Sequence, residues 1–426
     1  MSRRLLLSLV ITGLVITGLA TRNGAYLVLA LPVMIYLAAG LLKGPEDLQF
    51  EISRNLSTDR AVFDQPVVVT LKITNVGPPA EEVFVEDIVP ASLDVIDGSP
   101  DHFTSLQTGQ TLTIEYTVAG KRGLYRFSAV KVVVADHLGL FRKETVLSAP
   151  NQFFILPDLV RVKQIAIRPP RTGVYSGLIP ARQGGAGVEF FGVREYRPGD
   201  PLRWINERAS ARHHPTLFVN EYEQERMVDV GLIVDARHQS NPHSGQKSLF
   251  EYSVQAAGTL GETFLSGGNR VGLFVYGRSI DWTFPGYGKV QRERMVRALA
   301  RAQLGEGKIF ESLEYLPTRL FPVQSQLVFV SPLLADDAEM LTKLRARGYR
   351  LLIISPDPIS FEGEWLRNDQ ATGLASQIAR AERQLLFKHL REANIQLVDW
   401  DVKIPFHQVA HYALSRLPAQ RGRRLL

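Results

Sequence analysis

The sequence predicts a multidomain chain: an N-terminal transmembrane α-hairpin, then an all-β sandwich, then a doubly wound α/β domain. Three observations predict it. Two apolar runs, residues 5–20 and 25–42, stand back to back at the start. From 48 to about 157, apolar and polar residues alternate. From 228 onward, short continuous apolar runs alternate with segments of helical period. A chain of 426 residues has room for two or three domains with cores of their own. The expected divisions are 1–44 for two transmembrane helices, 46–160 for an immunoglobulin-like sandwich and 161–187 for a linker. Residues 188–418 follow as a motif segment plus α/β domain, and 419–426 as a basic tail.

The two apolar runs are separated by the turn Thr21-Arg22-Asn23-Gly24. Each is slightly short of the ~20 residues that cross a bilayer core, so Arg4 and Lys43 are expected to snorkel. A cleavable signal ending at Gly18-Leu19-Ala20 is the rival reading, but the second apolar run follows too closely for it. Arg3, Arg4 and Lys43 flank the outer ends and only Arg22 lies in the turn. The positive-inside rule then makes this a multi-pass protein of the inner (cytoplasmic) membrane, touching lipid through the hairpin, with its soluble domains in the cytoplasm.

In the sandwich, Leu48, Phe50 and Ile52 alternate with polar neighbours, as do Val67, Val69, Leu71 and Ile73, and Leu112, Ile114, Tyr116 and Val118. Gly- and Pro-containing turns separate the runs, at 75–79, 97–100 and 119–123. The acids Glu81, Glu82, Glu86 and Asp87 lack the spacing of a calcium loop and read as a solvated strand face.

Beyond the linker, apolar strands are expected at 228–234, 270–276, 326–330, 349–355 and 395–398, with helices between them. Strands apolar throughout mean a mostly parallel sheet covered on both faces, with ligands beyond the strands' carboxyl ends. Asp235, Tyr276, Ser331 and Ser355 stand at those ends.

Composition and motifs argue against an enzyme. There is no cysteine, hence no disulfide, thiolate metal site or cysteine nucleophile. His213, His214, His238 and His243 lack metal-ligand spacing, and Ser331 and Ser355 lack the context of an activated nucleophile. Gly184-Gly185-Ala186-Gly187 has no phosphate-loop lysine. The net charge of +6 comes mostly from arginines interleaved with acids, so no nucleic-acid partner is expected. No cofactor is expected either.

Residues 189–225 are dense in arginine, acids and aromatics. Arg194, Arg197, Arg203, Arg208 and Arg212 are matched by Glu189, Glu195, Asp200 and Glu207, with a turn at Pro198-Gly199-Asp200. Two readings stand side by side: an internal salt-bridge network that fixes a loop, and a partner-binding surface. The segment resembles the bacterial and archaeal family of domain of unknown function 58. The resemblance rests on Arg194-Glu195-Tyr196-Arg197-Pro198-Gly199-Asp200, on Arg203 and Ile205, and on Ala209 to Arg212. Further matches are 122–125 and 136–141 in the sandwich and 268–273 beyond it. Glu207 stands where the family has Trp, and Asn206 where Asp is common.

The resemblance implies a von Willebrand factor A-like C-terminal domain and a partnership with MoxR-type AAA+ ATPases, without enzymatic activity. That fold often carries a metal-ion-dependent adhesion site built from Asp-x-Ser-x-Ser, a Thr and a further Asp. Here Asp235 is kept, but Arg237 and Gln239 replace the serines, Ile309 or Phe310 stands near the Thr position, and Pro332 near the last Asp. The site is expected to be degenerate and to hold no metal, with the Arg237 guanidinium filling the charge vacancy beside Asp235. The function expected is a membrane-anchored adaptor that binds an ATPase of this type and unknown protein clients in assembly or chaperone-like work. The alternative is an outward-facing structural or adhesion protein of the cell envelope.

Overall fold

The computed structural model describes residues 3–42, 49–63, 65–135, 142–160, 179–213, 215–226, 229–244, 247–277, 280–305, 320–323, 325–367 and 369–415. The chain divides into two compact units, Met1–Leu156 and Pro157–Leu426.

The first unit opens with α1 (Arg3–Thr21) and α2 (Gly24–Leu42). Arg22 turns the chain with a left-handed backbone (φ 51°), and the Asn23 side chain accepts the Ala25 amide at 3.0 Å to start α2. Hydroxyls of Thr12, Thr17 and Thr21 each donate to a carbonyl one turn back, so they need no outside partner.

The strands of this unit form two sheets. The strands β1 (Phe50–Leu56), β3 (Val67–Asn75), β5 (Leu93–Gly98) and β7 (Thr111–Gly120) form one antiparallel sheet in the order β1-β3-β7-β5. In the other, β2 (Arg60–Val62), β4 (Ala80–Asp87), β6 (Asp101–Leu106), β8 (Gly123–Ala135) and β9 (Arg142–Leu156) take the order β2-β9-β8-β4-β6. The alternation of β3 turns Val67, Val69, Leu71 and Ile73 inward, where they share a core with Val83, Val85, Tyr116, Phe127 and Phe153. Asp87 is not on a solvated face as expected. It is buried and receives the Arg54 guanidinium, and Tyr116 Oη donates to it at 2.7 Å. A strand's period assigns Asp87 to a face but cannot supply the cation that settles it there.

The second unit begins with an antiparallel ribbon, β10 (Ile179–Glu195) paired to β11 (Phe218–Arg226), which encloses a single 3₁₀ turn (Leu202–Trp204) and α3 (Glu207–Arg212). β10 starts inside the stretch expected to be linker. Next come β12 (Asp229–Asp235), β13 (His243–Ser244), β14 (Lys247–Ser248), α4 (Leu249–Ser266), β15 (Arg270–Tyr276), β16 (Asp281–Gly286) and α5 (Gly288–Arg301). The chain continues with β17 (Gln326–Val330), α6 (Asp337–Ala346), β18 (Arg350–Pro356), α7 (Pro358–Glu362), α8 (Gln370–Glu392), β19 (Gln396–Trp400) and α9 (Phe406–Ser415). The sheet order is β16-β15-β12-β17-β18-β19, parallel except for β16 at the edge. Alternate residues of β12 enter separate cores: Val230, Leu232 and Val234 pack with Leu260 and Leu299, and Ile233 packs with Leu341 and Phe387.

The expected fold class is corrected on two counts. Among the described residues no helix is long and apolar enough to cross a membrane. The two helices have 19 residues each, about 28 Å at 1.5 Å per residue, and α1 spends its first two positions on Arg3 and Arg4. That falls short of a hydrocarbon core of about 30 Å. Nor is the expected doubly wound, von Willebrand factor A-like domain found: the chain is strand-rich with mixed sheets, nineteen strands to nine α-helices among the described residues. The ribbon and the antiparallel β16 escaped the sequence reading because polar or Gly-rich strands lack the apolar signal that marks a buried one. The expectations at 136–141, at 306–319 and on the tail 416–426 fall outside the described residues.

Candidate functional site

β12 and β17 are parallel neighbours, so the loops that follow them start side by side at the carboxyl edge of the sheet, where Ser331 reaches Asp235. Asp235 ends β12 and is fully buried. Its backbone neighbours are fixed by ladder-like bonds: Ala236 N–H donates to the Tyr276 carbonyl (2.7 Å), Gly305 N–H to that of Ala236 (2.8 Å) and His238 N–H to that of Gly305 (3.2 Å). Gly277 makes this close approach possible, since a Cβ there would lie 2.4 Å from the Ala236 oxygen.

The loop after β12 folds back on Asp235. Arg237 donates from Nε to Asp235 Oδ1 (3.0 Å) and from Nη2 to Oδ2 (2.8 Å). The same guanidinium donates from Nη1 and Nη2 to Asp337 Oδ1 (3.0 Å) and Oδ2 (2.7 Å), at the start of α6. Ser240 and Ser331 each donate a hydroxyl to Asp235 Oδ2, at 2.8 and 2.7 Å. Asn241 donates to the carbonyls of Asp235 and Arg237. The guanidinium lies 5.4 Å from the centre of the Tyr276 ring. All three charged side chains are at most 4% exposed.

This is one cation held between two carboxylates in a dry site. Burial opposes the Arg237 charge, but its surroundings of Tyr276, Asp235 and Asp337 outweigh that, and its pKa lies above the ordinary arginine value. Burial pushes the Asp337 carboxyl above its ordinary value against the pull of Arg237. Burial, then the Asp235 charge, raises the Tyr276 phenol well above its own.

The residues present do not fit a divalent ion. Both Asp235 oxygens already accept from Arg237, Ser240 or Ser331, and a monovalent guanidinium fills the space between the carboxylates. Among the described residues no group of three His, Asp or Glu could hold a metal. The Pro332 side chain offers no ligand. Its carbonyl accepts from Ser355 Oγ (3.1 Å) and Arg383 (3.0 Å). The positions near 309 and 310 lie outside the described residues. Asp337, which joins through Arg237, and Ser331 are not legible in the sequence as members of this network, because no local spacing joins residues so far apart in the chain; Ser240 stands only five residues from Asp235, outside the Asp-x-Ser-x-Ser spacing.

Above the network an open cavity of about 410 Å³ is lined by His238, Ser240, His243, Pro332, Leu333 and Glu362, among others. The His238 and His243 rings meet edge to face at 4.9 Å. Leu333 on the rim has a left-handed backbone (φ 67°), rare for a bulky residue, held by its N–H donating to Ser331 Oγ at 3.0 Å.

The arginine-rich motif divides in two. Arg194 forks onto Asp200, Nη1 to Oδ2 and Nη2 to Oδ1, both 2.7 Å, and also pairs with Glu221 at 3.4 Å. The Arg197 N–H donates to Asp200 Oδ2 at 2.8 Å, closing the turn through Pro198 and Gly199, the latter at φ 105°. Arg194, first, and then the Arg197 amide hold the Asp200 carboxyl down at about 2. Glu195 ends β10, and the Tyr196 N–H donates to the Leu217 carbonyl (2.8 Å). By contrast Arg203, Arg208 and Arg212 are exposed and form no ion pair among the described residues.

Residues 192–384 match the family described as "Protein of unknown function DUF58". The DUF58 match begins two residues before Arg194 and spans the whole motif, Asp235, Arg237 and Asp337. It is narrower than the resemblance seen in the sequence, which also takes in 122–125 and 136–141. Among curated proteins nothing matches. Solved structures similar to parts of the chain include a CARDB domain from Pyrococcus furiosus (12% identity, 26% of this chain and 91% of that one, TM-score 0.19). Others are the cupredoxin domain of amoB from Nitrosocaldus yellowstonii (8%, 25% and 86%, 0.20) and a FixG-related protein from Vibrio parahaemolyticus (12%, 26% and 98%, 0.18). TM-scores this low carry no argument about this chain.

Proposed function

We propose that this chain is a protein-binding adaptor without catalysis of its own, with a MoxR-type AAA+ ATPase as its partner. The observation that carries the reading is the open cavity seated on a buried, internally bonded ion network. The polar groups beneath it are committed to one another: Asp235 accepts from three side chains, and Ser240 and Ser331 donate to it. Groups so committed set the shape of a rim rather than move protons. The walls are apolar at Pro332 and Leu333, with the exposed polar groups His238, His243 and Glu362 around them, a mixture suited to a peptide segment. The exposed arginines 203, 208 and 212 offer a second contact for an acidic surface. Anchoring by a membrane-crossing hairpin is no part of this proposal.

The test uses the full chain and a purified MoxR-type ATPase, with and without ATP. Replacing His238 and His243 by Asp, or Arg203 and Arg208 by Glu, should weaken binding at least tenfold while the melting temperature holds, since all four side chains are exposed. Binding equal to wild type in both double variants would remove the support for the reading.

A further inference from the structure

The helix α8 is apolar on its outward side. Its inner side is set by Phe387 and Leu390, which are buried, and by Arg383, 10% exposed, which donates to the carbonyls of Pro332, Ser355 and Pro356. At 100° per residue, Leu374, Ile378 and Leu385 lie on the opposite side. They are 60%, 54% and 67% exposed. With the exposed Ala371 and Ala381 they form the sequence Ala371-Leu374-Ile378-Ala381-Leu385, spaced 3, 4, 3 and 4. That is the spacing of a helix-pairing seam, on a helix whose own fold leaves it bare.

We propose that this stripe pairs with the same stripe of a second copy of the chain, the two α8 helices running antiparallel. The sequence of the stripe argues for a second copy. A two-fold axis between residues 379 and 380 sets Leu374 against Leu385 of the second copy and Ile378 against Ala381 of the second copy, so the bulky Ile meets a small residue. Beside the seam, Ala375 falls near Glu382 of the second copy, and Gln377 near Gln384. No like charges face each other. The parallel arrangement lacks these features: Ala381 would face Ala381, leaving a gap, and Lys388, next in the seam, would face Lys388. A stripe of five side chains covers a few hundred Å² a side, below the ~800 Å² of a stable interface, so the dimer should be weak, on the order of tens of micromolar. This pairing does not rest on the adaptor reading.

The chain contains no cysteine, so a single introduced thiol reports on one place. Ala381→Cys lies near the proposed axis; Arg380→Cys, exposed on another side of the same helix, is the control. With the full chain at about 50 µM and a short bismaleimide linker, the Ala381→Cys chain should cross-link at least ten times faster than the control. Adding Ile378→Glu or Leu374→Glu should abolish that excess while the melting temperature stays within a few degrees of the parent chain. Equal rates at the two positions would overturn the proposal, as would an excess that survives both glutamates. Either result would leave the stripe to a helix of some other protein.

Discussion

Arg237 is where three stretches of the chain are fastened: its side chain grips Asp235 and Asp337, and the peptide that follows it pairs with Gly305. Truncating it would leave two carboxylates in a dry site with no cation. Arg237→Ala should therefore destabilise the chain by about 3–5 kcal/mol, measured by urea unfolding. A smaller loss, under about 1 kcal/mol, would mean that water enters and solvates the acids. Because the guanidinium already occupies the space between the carboxylates, millimolar Mg²⁺, Mn²⁺ or EDTA should leave the wild-type melting temperature unchanged; a rise with Mg²⁺ that Asp235→Asn abolishes would refute this. Asp200 gives a pH signature. Its folded pKa is held at about 2, below the ordinary 3.8. As pH falls between those values the unfolded chain takes up the proton first, so this stabilisation is fully present above about pH 4 and lost on the way down through pH 2. The stability gap between wild type and Asp200→Asn should be widest above pH 4 and close near pH 2. Arg194→Ala should narrow the same gap, whereas Arg203→Ala should not.

At the scale of elements, the motif that looked like one arginine-rich segment is a ribbon end with two parts. The Arg194–Asp200 fork closes the turn leaving β10, and α3 then sits against β11. Asn206 joins the second part: its Oδ1 caps α3 by accepting the Ala209 N–H (2.9 Å), and its Nδ2 donates to Asn220 on β11 (2.7 Å). Asn206→Ala should cost about 1 kcal/mol in unfolding experiments. Asn206→Asp keeps the cap, and the Asn220 amide can turn over to donate to the new carboxylate oxygen, so it should cost less. Of the two readings left open for this segment, the structural one fits Arg194, while Arg203, Arg208 and Arg212 are exposed and carry the partner-binding one only as a proposal. Spacing could not separate them, because an arginine's partner is chosen by which backbone the turn brings near.

At the scale of the whole molecule, the sequence by itself determined the alternation of β3 and β7 and the apolar strands of the second unit. It also determined the strand end at Asp235 and the turn at Pro198-Gly199-Asp200. All of these are local: period two, a continuous apolar run, and Pro and Gly geometry are written within about ten residues. It misjudged the first helices, where an apolar run was taken for a membrane span, and it passed over β10, β11 and β16, whose composition carries no burial signal. Arg237 beside Asp235 is legible in the sequence, two residues on; only the tertiary structure decided what completes the network around that pair. Asp337 stands 100 residues from Arg237, and Ser331 stands 96 from Asp235. Neighbouring parallel strands bring their carboxyl ends together whatever the length of chain between them. The same is true of Asp87 on β4, whose cation Arg54 lies three strands away in sequence, on β1, and in the other sheet. A carboxylate's sequence neighbours say that it is charged; which cation it meets, and whether water reaches it, is fixed by how the sheets assemble.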